Sequence, residues 1–348
     1  MRRGPGTIQQ RCCTNFLQST LLNHNIFLSL QFILKTKTIP ASMASRKTRL
    51  VLMKILSLFS VVRGYNIPVI ALAQYLSAIF ILDKESRALE VILDVNLFLI
   101  VLASSLTIAS GYIINAFYDA QKDLINRPRK SMLDRLVSQQ TKLHVYFGLN
   151  FLVVALAFLV SWRAAIFFSG FIFLIWFYSH KLKKYPLIGN LTAAFLAVLP
   201  FFGILMYYKN FYEVIFAHAT FLYLLILTRE LIKDLENLTG DLVADYRTIP
   251  VMFGEKVSKT IITGLTLATV IPVYLLIEVY DVGYMDTYFY CGMVIIIWFL
   301  SLLWKAESQK DYLRLHNILK FLIVSGIFCI VLIEPSVLVH GRQLLSMN

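Results

Sequence analysis

Residues 101–114 read VLASSLTIASGYII, and residues 115–123 continue NAFYDAQKD. An apolar run suited to a bilayer thus ends in Asn115, Asp119 and Asp123. On an α-helix, positions i, i+4 and i+8 fall on nearly one face, so these side chains form a polar stripe. Like charges at that spacing repel even in water, and ionisable groups beside a membrane span are costly. Such a stripe at the end of a span points to a functional site.

The pattern recurs. Asn115, Asp119, Asp123 and Pro128 read N-x3-D-x3-D-x4-P, as do Asn237, Asp241, Asp245 and Pro250 in NLTGDLVADYRTIP. Each member is shifted by the same 122 residues, as from Asn115 to Asn237. The approach to the second copy, RELIKDLEN, places Arg229, Lys233 and Asn237 at four-residue spacing. Asp234, Asp241 and Asp245 share a face at i, i+7 and i+11. Two matched motifs at corresponding helix ends suggest two walls of one cavity.

The rest of the 348-residue chain fits a membrane setting. It is 58% hydrophobic and 15% charged, with a mean hydropathy of +0.70. Nine apolar segments stand at 65–82, 92–118, 143–161, 164–179, 187–207, 214–232, 259–280, 285–304 and 317–338. Each approaches the roughly 20 residues a helix needs to cross a hydrocarbon core of about 30 Å. The expected fold is therefore all-α, a multi-pass bundle of nine transmembrane helices around a central cavity.

The net charge of +13 does not point to nucleic acid, because the charges sit in short loops between apolar spans. Loops on the side of both Asp motifs carry most of the Lys and Arg. The other side has only Lys84, Arg87, Arg163, Lys209 and Arg342. By the positive-inside rule, the cavity opens to the cytoplasmic face, in the cell (inner) membrane. The four Cys and six His show no metal or redox spacing. Residues 1–42 read as a poorly structured or dispensable extension. Met43 opens MASRKTRLVLMKILSLFSVVRGYN, which resembles a cytoplasmic start, and 43–348 then form one transmembrane domain.

Two carboxylate stripes facing each other repel unless a cation lies between them. Mg²⁺ fits, being hard, oxygen-seeking and commonly held by one or two carboxylates plus phosphate oxygens. Arg grips phosphate in bidentate fashion and Lys acts as a point charge. Candidates are Arg127, Arg129, Lys130, Lys183, Arg229, Lys233 and Arg247. The loop YSHKLKKYPLIGN adds Tyr178 and Asn190. A membrane-surface diphosphate site opening on an apolar interior suits an isoprenyl diphosphate and a lipophilic acceptor. Ionisation would give an allylic cation, steadied by faces such as Tyr112, Phe117, Tyr118 or Tyr178. Packing is the commoner duty for any one of these aromatics. Arg127, Arg129 and Lys130 also serve topology, and Asp94, Asp134 and Glu236 read as solvated or locally paired. A cation transporter and a non-catalytic scaffold are the alternatives. The acids cluster at one membrane face and the Gly/Pro-broken helix pair of transporters is missing.

At these residues the chain resembles the UbiA superfamily of intramembrane prenyltransferases. The resemblance runs from about Arg63 to the C-terminus. It includes RGYN at 63–66, YSHKLKKYPLIGN at 178–190, and RELIKDLENLTGD at 229–241 followed by RTIPVMFG at 247–254. It implies nine transmembrane helices and Mg²⁺-diphosphate at both motifs. Asn115, Asp119 and Asp123 would serve the first metal site, with Asp234, Asp241 and Asp245 at the second. Lys183 and Tyr178 would sit by the diphosphate and reactive carbon, with Arg63 and Asn66 nearby. The motifs look most like the branch of digeranylgeranylglyceryl phosphate synthase and chlorophyll synthase, whose products belong to lipid or quinone and tetrapyrrole pathways. Two departures stand out: RKSMLDRLVSQQ follows INRP without Pro or Gly, and Asp245 stands where many of that branch carry Gly.

Overall fold

The computed structural model of the chain describes residues 46–83 and 87–334, without the side chains of 46–51, Arg129 and Leu133. The expectation for residues 1–42 lies outside the described residues. Two compact units divide the chain, Met1–Met53 and Lys54–Asn348. Of the first, only the helical stretch from Arg46 is described.

The described residues are helical, with no strand among them. The principal helices are α1 (Arg46–Val61), α2 (Ile67–Leu82), α3 (Val95–Tyr118), α4 (Gln139–Val160) and α5 (Trp162–His180). They continue with α6 (Ile188–Tyr208), α7 (Glu213–Glu236), α8 (Ile249–Val279), α9 (Gly283–Lys305) and α10 (Gln309–Ile333). Eight of them, α3 to α10, are long and apolar enough to cross a membrane. The first expected span, 65–82, corresponds to the shorter apolar helix α2.

Caps place the ends where hydropathy alone does not. Ser138 accepts from the Thr141 N–H, so α4 begins at Gln139, ahead of the apolar stretch expected from 143. Ser161, the single residue between α4 and α5, accepts from the Ala164 N–H and caps the start of α5. Ser308 and Asp311 form a reciprocal capping box at the start of α10. Gly254, at φ 81°, kinks α8 near its start.

Two apolar clusters organise the Lys54–Asn348 unit. One gathers α2 to α6 around Leu97, Ile113, Val153, Phe168 and Ile204. The other gathers α7 to α10 around Leu231, Ile262, Phe289, Phe299 and Leu322. A small patch of Ala194, Val198, Ile226 and Leu227 joins α6 to α7. The buried face of α3 is rich in small residues, Ala103, Ser104, Ser105, Thr107 and Ser110, which let neighbouring backbones come close. Gln74 of α2 donates to Ser104 Oγ at 3.1 Å and to the Pro200 carbonyl at 2.9 Å, tying α2, α3 and α6 together. Phe147, Phe151, Phe158 and Leu159 face outward on α4, as lipid-facing side chains do. The first acidic stripe thus ends a helix of one cluster, and the second ends a helix of the other.

Candidate active site between two acidic helix ends

The first stripe keeps its helical register through a change of helix. α3 stops at Tyr118 and a short helix, Ala120–Asn126, follows. The i to i−4 bonds nevertheless continue: Asp119 N–H to Asn115 O, Asp123 to Asp119, and Arg127 to Asp123, at 2.8–2.9 Å. Asn115, Asp119 and Asp123 therefore stay on one side and all line one polar cavity.

The second stripe starts alike. Asn237 bonds back to Lys233 and Asp241 to Asn237 as α7 gives way to the helix Leu238–Val243. The ladder then ends. Asp245 adopts φ 54°, in the left-handed region that favours Gly, and Tyr246 bonds back to Asp241 instead. Asp245 is exposed and does not line the cavity, whereas Tyr246 is buried and does.

The cavity brings together Arg63, Asn115, Asp119, Asp123, Arg127, Tyr178, Lys183, Asn190, Lys233 and Asp234 from the expected set. Lys183 donates to Asp119 Oδ1 at 2.7 Å and to Asn115 Oδ1 at 3.2 Å. Tyr246 OH donates to the same Asp119 oxygen at 2.7 Å. Asn190 donates to Asp234 Oδ2 at 2.7 Å. Asp241, wholly buried, pairs with Lys122 and lies 3.5 Å from Thr248 Oγ1. Asp123 has no ion-pair or hydrogen-bond partner among the described side chains.

Burial would push the Asp119 carboxyl up, but Lys183 and Lys122, with the bonds from Lys183 and Tyr246, hold it below its ordinary value. Asp123 goes the other way: burial and the neighbouring Asp119 raise it against Arg127, Lys130 and Arg63. Burial also raises Asp241, outweighing Lys122. Burial and Arg63 lower the Lys130 ammonium, against Asp134 and Asp123.

Other expected residues stand outside the cavity lining. Asn66 donates to Tyr112 OH at 3.3 Å. Arg229 donates to His316 Nε2 and contacts Glu230. Arg247 is exposed, its N–H bonded to the Lys184 carbonyl. Lys130 is half-buried, and the Arg129 side chain lies outside the described residues. Glu236, expected to be solvated or locally paired, is buried and paired across the fold: it meets Arg127 at 3.4 Å and His316 at 3.2 Å. Asp134 accepts from Ser60, and Asp94 caps α3 while accepting from Tyr207.

Residues not singled out from sequence complete the site. Lys122 and Tyr246 couple the two stripes, the ammonium standing 4.3 Å from the ring centroid. Asn126 Oδ1 accepts from the Gly240 N–H at 3.1 Å, stitching the two short helices, and a Cβ at Gly240 would overlap the Asn126 amide. Lys122 lies inside the first motif, but a Lys between acids in a basic loop carries no distinguishing signal. The INRP asparagine and the Gly of LTGD had the same weakness.

The sequence pattern of the UbiA prenyltransferase family matches residues 85–325. The digeranylgeranylglyceryl phosphate synthase of Thermococcus sibiricus is 30% identical over 236 residues, 67% of this chain and 83% of that protein. Its namesake in Pyrococcus horikoshii is 33% identical over 187 residues, 53% of this chain and 66% of that one. A solved digeranylgeranylglyceryl phosphate synthase shares the fold with a TM-score of 0.62 at 21% identity, covering 80% of this chain and 98% of that one. A UbiA homologue from Archaeoglobus fulgidus bound to GPP and Mg²⁺ does so at 0.58 and 15%, covering 79% and 99%. With its helical membrane fold and its doubled Asp motif, the chain belongs to the UbiA prenyltransferase family.

Proposed function

We propose that this membrane prenyltransferase moves an isoprenyl group from a prenyl diphosphate to a hydroxyl of a glycerophosphate-type lipid, with Mg²⁺, at the cytoplasmic face of the cell membrane. The observation that carries the reading is the convergence of Asp119, Asp123, Asp234 and Lys183 on one polar cavity. The name of the Thermococcus sibiricus relative and the GPP and Mg²⁺ on the Archaeoglobus fulgidus homologue support donor, metal and acceptor.

The residues present fit a divalent ion. Asp123 offers a half-buried carboxylate without an ion-pair or hydrogen-bond partner among the described residues, and Asp119 and Asp234 line the same space. Among the described residues no three His, Cys, Asp or Glu form a metal cluster by themselves, so substrate oxygens would complete the coordination. When bound, Mg²⁺ neutralises charge on the diphosphate and on departing pyrophosphate. Lys183, Arg63, Arg127 and Lys233 would bind phosphate oxygens. The allylic C–O bond breaks with its electron pair leaving on pyrophosphate. The acceptor hydroxyl then bonds to the allylic carbon and gives its proton to the pyrophosphate. The Tyr178 face would steady the cation.

The tail has a place to go. A second cavity is lined by apolar residues such as Ala73, Val198, Phe202, Leu222, Leu225 and Met285. Ala193 to Val198 on α6, and Glu230 to Leu225 on α7, are each about 7.5 Å of helix. The apolar cavity thus lies farther along the same two helices than the polar one, where a hydrocarbon tail would be shielded from water.

The test is incubation of purified protein with labelled geranylgeranyl diphosphate, Mg²⁺ and either geranylgeranylglyceryl phosphate or an aromatic acceptor. The expected result is Mg²⁺-dependent pyrophosphate release with a prenylated glycerophosphate product. No metal-dependent release with any acceptor, from folded protein, overturns the proposal.

A further inference from the structure

We propose that Lys122 is the resident cation of the second acidic stripe, so that the cavity holds a prenyl diphosphate with one divalent ion rather than two. The inference rests on reading the cavity as a Mg²⁺-diphosphate site.

Lys122 sits in the first motif, on the helix Ala120–Asn126, yet its ammonium contacts Asp241 of the second. It also lies 4.3 Å from the Tyr246 ring centroid, an aromatic face that favours a cation. Asp241 is wholly inaccessible, and a carboxylate there needs a charged partner. Thr248 stands beside its other oxygen. Asp245, the second acid of that motif, is turned out of the cavity by its left-handed backbone. The second motif therefore presents one carboxylate, already neutralised by an ammonium from the first.

Most of the other cavity charges pair off as well, and Arg63 lines the cavity without an ion pair among the described residues. Lys183 pairs with Asp119, and Lys233 with Glu230 at 2.6 Å. Asp123 and Asp234 are the cavity-lining carboxylates without an ion-pair partner among the described residues. Two carboxylates can hold one divalent cation, which would complete its shell with phosphate oxygens, with Arg63 left for the diphosphate. A second ion at Asp241 would have to displace Lys122, which lines the cavity, from a carboxylate that is itself wholly buried.

The test counts ions. Purified full-length protein in detergent, saturated with a non-ionisable thio-analogue of geranylgeranyl diphosphate, is titrated with Mn²⁺ and free Mn²⁺ is read by electron paramagnetic resonance. Wild type should bind one ion per chain, Lys122→Arg one, and Lys122→Met two. Without metal, Lys122→Met should melt below wild type, and Mg²⁺ should raise its Tm more than that of wild type, because a ligand that binds only the folded state stabilises it. Two ions in wild type, or one in folded Lys122→Met, overturns the proposal. If Lys122→Met does not fold, the wild-type count and Lys122→Arg decide. No ion bound by any form with the analogue present overturns instead the Mg²⁺-diphosphate reading on which the inference stands.

Discussion

The two Asp motifs have the same spacing down to the proline, yet fold differently. In the first, backbone bonds link Asn115, Asp119, Asp123 and Arg127 in unbroken steps of four, and every acid faces the cavity. In the second, the ladder holds through Asp241 and breaks at Asp245, where φ turns positive. The chain then swings Tyr246 inward, and its hydroxyl reaches Asp119 of the first motif. The four-residue period states which side chains share a face only while the helix lasts. The repeat is thus symmetric in sequence and asymmetric in chemistry: two carboxylates on one side, a carboxylate and a phenol on the other.

The largest expected effect tests that asymmetry directly. Asp123→Asn should lower kcat/KM by about 10²- to 10³-fold, the loss typical of removing one electrostatic group from a catalytic site. Asp245→Asn should leave it within about twofold, as surface changes away from such features usually do. Steady-state rates of prenyl transfer measure both. Equal losses would restore the equivalence implied by the spacing.

How much of this was legible beforehand follows from the physics of each signal. The spans were, because a lipid-facing helix must stay apolar over a set length. Their ends were not: Ser138 starts α4 early, and α7 runs past the expected 232 to Glu236. There Lys233 and Glu230 pair one turn apart and Glu236 reaches Arg127. The first stripe was legible from its period. Tyr246 was not, since its place depends on one backbone angle at Asp245. The Arg229–His316–Glu236 contacts join α7 to α10 across the fold, and no local pattern announces such a pairing. Arg229, expected at phosphate, is held there instead.

A second way to sharpen the comparison targets the seam between the motifs. Gly240→Ala would force the Asn126 side chain away and cost its bond from the Gly240 N–H. A lost hydrogen bond of this kind is worth on the order of 1 kcal/mol, or several-fold in rate if the seam aligns the acids. Asn126→Ala should reproduce the loss and add little to Gly240→Ala in the double variant. Additive losses would show that the seam is not a unit.

Smaller still is the effect of relieving the turn. Asp245→Gly removes a side chain from a left-handed backbone and should stabilise the protein by up to about 1 kcal/mol, while Asp123→Gly, inside a continuous ladder, should destabilise it by a similar amount. Opposite shifts in Tm are expected from identical substitutions at matching positions. A fall in both would place Asp245 in a regular helix, contrary to its φ of 54°.

The smallest effect is read from pH. Asp119 sits below its ordinary value and Asp123 and Asp241 above theirs. A raised carboxyl binds its proton more tightly folded than unfolded, so ionising it weakens the fold, and acidification through its folded pKa restores stability. A lowered carboxyl does the reverse: it contributes stability above its unfolded pKa, which is lost as pH falls through the folded value. Metal-free protein should therefore gain a little in Tm as pH is lowered from neutrality toward the raised values of Asp123 and Asp241. It should then lose stability below the ordinary carboxylate range as Asp119 takes up its proton. Asp123→Asn should shrink the first gain and leave the acid loss, whereas Tyr246→Phe should weaken the acid loss by removing one bond that holds Asp119 ionised. If both substitutions altered the same limb, the two motifs would titrate as one group, and the asymmetry between them would not extend to their charges.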